Sequence, residues 1–145
     1  MKKIFSWMLI ALVGIAFCSC EGFGKKQTEF YLSDLQGKWL EDGSTTHYVC
    51  FTTESSDIKP GYLWGYEWGD FGDDVDEADV LADKYGNGWF MYQLKEAELL
   101  EIHKMNQGWG DIPKVYTVTV LTKQKLTYAP KDYPKEKVSF TKQVK

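Results

Sequence analysis

Between Gly61 and Asp74 the chain reads GYLWGYEWGDFGDD, and within it Tyr62, Trp64, Tyr66 and Trp68 fall on every second residue. Successive side chains of an extended chain point to opposite faces, so these four rings leave one side of a single strand. Burying each ring stabilises a fold by roughly 2 to 3 kcal/mol, and leaving all four in water forgoes on the order of 10 kcal/mol. The row therefore either fills the inside of the fold or forms a platform for a ligand, and the burial term favours the inside.

The sequence around the row predicts short strands separated by turn residues, at about Lys38–Glu41, His47–Thr53, Tyr62–Trp68, Trp89–Leu94, Leu99–Met105, Val115–Leu121, Lys125–Tyr128 and Lys137–Thr141. Asp42-Gly43, Pro60-Gly61, Gly86-Asn87-Gly88, Gly108-Trp109-Gly110 and Ala129-Pro130 punctuate them, and most connections are short enough to join antiparallel neighbours. A meander of this kind leaves two exposed edges unless it closes, and eight strands suffice for a barrel. One mostly apolar side recurs, as Phe90, Tyr92 and Leu94, then Tyr116, Val118 and Val120, then Val138 and Phe140. Gly65 and Gly69 lie where a small barrel must bend. The expected fold is all-β, an up-and-down antiparallel eight-stranded barrel with a short helical turn at Ser33–Gln36 before it. The aromatic row is expected to point inward.

Ahead of this domain, Lys2 and Lys3 precede an apolar run from Ile4 to Phe17, too short for a lasting transmembrane helix and laid out as a secretory signal. Ser19-Cys20 then places a small residue before a cysteine, which resembles the lipobox of bacterial lipoproteins. That resemblance implies a signal peptide over 1–19, lipidation of Cys20 and a tether over 20–30, leaving the barrel domain at 31–145. The location it implies is the cell envelope, as an outer membrane lipoprotein facing the periplasm or the surface. Loss of Cys18 and lipidation of Cys20 leave Cys50 alone, so no internal disulfide supports the fold and a lone thiol is safest buried.

Removing Lys2 and Lys3 takes the formal net charge from −4 to −6, which argues against a nucleic-acid partner. The chain contains no arginine and so lacks a guanidinium fork for phosphate or carboxylate.

Gly37-Lys38-Trp39, following the helical turn, resembles the GxW motif of the lipocalins, and the paired-strand pattern from Tyr116 to Leu126 is similar to that of short lipocalin-like domains in Gram-negative lipoproteins. The resemblance spans about Leu35 to Lys142. It implies structural roles for Gly37 and Trp39, with Trp39 packed under one end of the barrel. The family's arginine over that Trp has no counterpart here, and Lys137 or Lys142 is the available substitute.

Inward rings line either a ligand cavity or a core filled by its own side chains. On the cavity reading Tyr62, Trp64, Tyr66, Trp68, Phe90 and Tyr92 bind a small hydrophobic or amphipathic molecule. The alternative is a non-enzymatic interaction module whose rim loops bind an envelope protein or a glycan. The acidic run from Asp70 to Asp83 departs from the EF-hand pattern at Ala78 and Asp79, and it reads as a solvated lid or connecting helix touching the barrel through Val75, Val80 and Leu81. His47 and His103 lie far apart in sequence, without a transition-metal motif. Nucleophile-elbow, P-loop and dinucleotide signatures are absent. No catalytic residue, metal or cofactor is therefore expected, and the one acid–base pairing the sequence offers is Glu67 with Glu101 beside His103.

Overall fold

A computed structural model of the chain describes residues 30–44, 46–70, 74–105 and 108–144. The expected signal peptide and Cys20, with most of the tether, lie outside the described residues. A single-turn helix α1 (Leu32–Leu35) leads into β1 (Gly37–Glu41), β2 (Tyr48–Ser55) and β3 (Leu63–Asp70). A two-residue strand β4 (Asp74–Val75) and helix α2 (Glu77–Ala82) intervene before β5 (Trp89–Lys95) and β6 (Glu98–Met105). The two-residue β7 (Gly108–Trp109), then β8 (Lys114–Leu121), β9 (Lys125–Pro130) and β10 (Val138–Lys142) complete the order.

Omitting β4 and β7, every strand pairs antiparallel with its sequence neighbours, and β10 returns to β1 with Trp39 opposite Lys142. The result is a closed eight-stranded barrel in which every main strand has a partner on both sides. The eight expected strands are all present, displaced at their ends by at most two residues. β4 and β7 were not legible as strands, being only two residues each.

Two separate apolar clusters divide the side chains. The first draws on all around the barrel: Leu35 of α1, Trp39, Val49, Phe51, Phe90, Tyr92, Leu99, Val118, Leu126, Tyr128 and Phe140. A cluster fed by every part of a closed wall is its lumen. The second takes residues of β2, β3, β5 and β6, with Tyr62 just before β3 and Val80 of α2, and includes Cys50, Trp64, Tyr66, Trp89, Met91 and Ile102. It lies on the outer surface of that wall, beneath α2 and the segments around Tyr85 and Trp109.

The aromatic row is therefore outside the barrel, which corrects its expected inward direction. Trp64 is wholly buried without entering the lumen: its ring stacks on Tyr85 at 4.2 Å and meets Trp109 at 5.4 Å. Tyr66 lies 4.9 Å from Trp89, whose indole N–H donates to the Val80 carbonyl at 2.8 Å. Trp68 is only partly buried and stacks on Tyr48 at 5.0 Å. Burial of large rings drives the arrangement as anticipated, but a second outer layer supplies it. Val80 and Val75 of the acidic segment belong to this layer, whereas Leu81 is exposed.

Gly65 explains the opposite face. A Cβ there would approach Phe90 Cζ to 2.6 Å and the Cys50 carbonyl to 3.0 Å. Its missing side chain lets the Phe90 ring cross the lumen against Phe51, 5.8 Å away. In β8 the register slips between Val118 and Val120, and such a bulge inverts the alternation. Val120 is consequently exposed, against expectation, while Leu121 is buried.

Candidate functional site

Once the rings of β3 face outward, Glu67 between them faces the lumen. The same pleat turns Glu41 of β1 inward beside it, in phase with Trp39, and Glu101 and His103 of β6, in phase with Leu99. His47, just before β2, reaches both of the first two carboxylates. Its Nδ1 lies 2.6 Å from Glu41 Oε1 and its Nε2 3.0 Å from Glu67 Oε1. The other Glu67 oxygen lies 3.9 Å from His103 Nδ1, and His103 Nε2 lies 2.8 Å from Glu101 Oε1. The two histidines thus alternate with three glutamates in one continuous chain across the barrel, at the end formed by the β1–β2 hairpin and the start of β8.

Rings frame the chain. His103 stacks on Phe90 at 4.9 Å and 22°, and His47 meets the edge of Phe140 at 6.3 Å. Tyr128 lies between Phe140, at 5.7 Å, and Tyr116, at 5.1 Å. Tyr116 also lines a groove of about 450 Å³ at the same end, shared with Pro113, Lys114, Pro130, Lys131 and Tyr133.

The electrostatics follow from this packing. His47 is held protonated above its ordinary range, first by its hydrogen bond to Glu67 and, against the cost of burial, by that to Glu41. Burial acts most strongly on His103 and opposes its charge, but Glu101 and Glu67 outweigh it and the imidazole is again raised. Burial, with Glu101 and Glu67 adding to it, pushes the Tyr116 phenol up to about 12. Tyr128 is likewise raised, first by burial and then by Glu101, the Tyr116 phenol, Glu67 and Glu41. These shifts describe a low-dielectric chamber dominated by negative charge.

Of the residues expected to bind a ligand, Phe90 and Tyr92 stand in the lumen, while Tyr62, Trp64, Tyr66 and Trp68 stand in the outer layer. Tyr92 lies below the ionisable chain: its hydroxyl donates to the Thr52 carbonyl at 2.7 Å and its ring packs on Phe51 at 5.0 Å. Glu67, Glu101 and His103, paired in sequence only as an acid–base possibility, are brought together. Glu41 was not singled out and His47 entered only as an imidazole without a metal motif, because nothing in the sequence joins them to β6. Cys50 is buried in the outer layer with its thiol pushed up by burial, and it stands as a structural thiol. Gly37 and Trp39 occupy the closed end, where Leu35 lies beneath the rings. Among the described residues, no group of three or more His, Cys, Asp or Glu side chains converges as a metal cage. Comparison with protein-family models, with curated proteins and with solved structures finds no match to this chain.

Proposed function

We propose that the chain is a lipid-anchored cell-envelope protein whose lipocalin-like barrel binds a small amphipathic molecule at its open end without transforming it. The observation that carries this reading is the vertical division of the lumen. Packed rings from Phe51, Phe90 and Tyr92 occupy its lower part, and the Glu41–His47–Glu67–His103–Glu101 chain occupies its upper part. A ligand with an apolar body and a polar head suits such a site, where mostly apolar walls carry a few convergent polar groups. The groove beside Tyr116 lies at the same end of the barrel.

Fluorescence titration with neutral N-phenyl-1-naphthylamine tests the reading. Saturable uptake by the folded monomer, reduced by Tyr116→Ala, is expected. Absence of uptake by that probe and by a panel of amphipathic compounds would remove the proposal. The anchor is tested separately: metabolic labelling with a clickable fatty acid should mark the wild type and not Cys20→Ser.

Ile112 and Tyr133, respectively 87% and 61% exposed on loops beside the groove, favour a second reading, in which the rim binds another envelope protein or a glycan. Exposed apolar side chains around a polar mouth are a recognised mark of interaction surfaces. Cross-linking from Ile112→Cys in intact cells distinguishes it, because lumenal binding alone predicts no discrete protein adduct.

A further inference from the structure

The ionisable chain is asymmetric in charge. Three carboxylates alternate with two imidazoles, so one formal negative charge is left over even when both imidazoles carry a proton. Lysine does not supply the balance: none of the ion pairs among the described residues places an ammonium on Glu41, Glu67 or Glu101. Lys114, the strand partner of Glu101, is exposed to solvent, and Lys131 at the groove is taken by Glu98 at 2.9 Å. Glu101 itself is only 5% exposed, and burying net charge in such a place is costly without a partner.

A second observation is independent of the carboxylates. Tyr128 is 8% exposed, its ring fixed between Tyr116 and Phe140, yet its hydroxyl makes no hydrogen bond to any described residue. Among the described residues the fully buried side-chain polar atom without a partner is Trp64 Nε1, so the Tyr128 hydroxyl keeps contact with solvent and is open to bond a ligand. The phenol feels the carboxylates of Glu101, Glu67 and Glu41 and the neighbouring Tyr116 phenol, which places it in the same chamber. Tyr116, whose ring lies beside Tyr128, likewise makes no hydrogen bond through its hydroxyl among the described residues, and it lines the 450 Å³ groove outside.

We propose that the head group this chamber receives is a protonated amine, which donates to Glu101, Glu67 and the Tyr128 hydroxyl while its carbon frame lies along the Tyr116 and Phe90 rings. This rests on the ligand-binding reading and sharpens it to a class of ligand, small organic monocations. An ammonium supplies the missing charge, offers donors to groups that are acceptors, and gains from the ring faces that border the site. A bare metal ion fits less well, because both nitrogens of His47 are already turned to carboxylates and no metal cage converges among the described residues.

Isothermal titration of the full chain in a nonionic detergent, with phenethylamine, 2-phenylethanol and zinc chloride in turn, provides the test. Phenethylamine should bind one to one and at least about tenfold more tightly than the alcohol of the same frame, since a charged hydrogen bond is at stake. Glu101→Gln should remove most of that preference. Tyr128→Phe, which deletes only the unpartnered hydroxyl and keeps the ring stack, should weaken the amine severalfold without changing the circular dichroism. Equal binding of amine and alcohol, or an amine affinity untouched by Tyr128→Phe, overturns the proposal. Stoichiometric zinc binding that excludes the amine also overturns it, in favour of a metal site. If N-phenyl-1-naphthylamine enters the barrel while phenethylamine does not, the cation inference fails and the ligand-binding reading stands. If neither enters, both fail.

Discussion

The ammonium of Lys142 stands 4.6 Å above the centre of the Trp39 ring, in the place where the resemblance to lipocalins implies an arginine. It does more than cover the ring. Lys142 Nζ donates to the carbonyls of Asp34 and Gln36 at 2.9 and 2.7 Å, while the Trp39 indole N–H donates to the Leu35 carbonyl at 2.7 Å. One lysine and one tryptophan thus satisfy the end of α1, whose last carbonyls have no helical partner, and tie it to β1 and β10. Lys142→Met is expected to cost about 1 to 2 kcal/mol in urea unfolding, because it removes charged hydrogen bonds at a partly buried site. Lys123→Met, which removes only an exposed pair with Asp34, should be near neutral. Equal effects of the two substitutions would deny Lys142 this role.

Gly65→Ala places a methyl where the Phe90 ring and the Cys50 carbonyl already stand. Overpacking of this sort costs typically about 1 to 3 kcal/mol. Phe90→Leu in the same chain should recover part of the loss, and a double-mutant cycle by denaturant unfolding measures the coupling. Purely additive effects would show that the two residues do not compete for space.

Trp64→Ala separates the outer layer from the lumen. Truncating a fully buried tryptophan should destabilise the protein by about 3 to 5 kcal/mol. Because Trp64 packs on Tyr85, Trp89 and Trp109 outside the barrel, uptake of N-phenyl-1-naphthylamine by the folded variant should stay unchanged. A marked drop in affinity, measured where circular dichroism shows both proteins folded, would return the row to the binding site.

Stability should fall as pH rises through neutrality. Both His47 and His103 are raised in the folded protein, so their contribution is complete below the unfolded imidazole value of about 6.5 and disappears as pH climbs through the folded values. Glu41, Glu67, Glu101, Tyr116 and Tyr128 surround the pair, with Lys114 opposing the charge on His103. Urea midpoints between about pH 6 and pH 9 should decline, and His47→Gln with His103→Gln should flatten the decline. A wild-type midpoint constant over that range would contradict the coupling.

The strands themselves were legible because turn residues and short β-branched or aromatic runs are local signals, and closure followed from pairing eight of them without leaving edges. The helical turn before Trp39, the lysine over its ring and the burial of Cys50 were legible for the same reason: each depends on a few neighbouring residues or on the absence of an alternative. The direction of the third strand was not. Alternation reports only which residues share a face: on β3 and β6 the outer face is the more apolar one, and on β5 both faces are apolar. Trp64, Met91 and Ile102 are buried beneath α2 and the segments around Tyr85 and Trp109, so polarity along β3 and β6 runs opposite to that of an ordinary barrel wall. That inversion brings Glu67, Glu101 and His103 into the lumen, where they meet Glu41 of β1 and His47 from the turn before β2. Sequence alone determined the eight barrel strands, the closed β architecture and the need to bury four rings. Only the tertiary structure decided which side of the wall buried them, because hydrophobic burial has no direction of its own and the covering layer comes from segments distant in sequence.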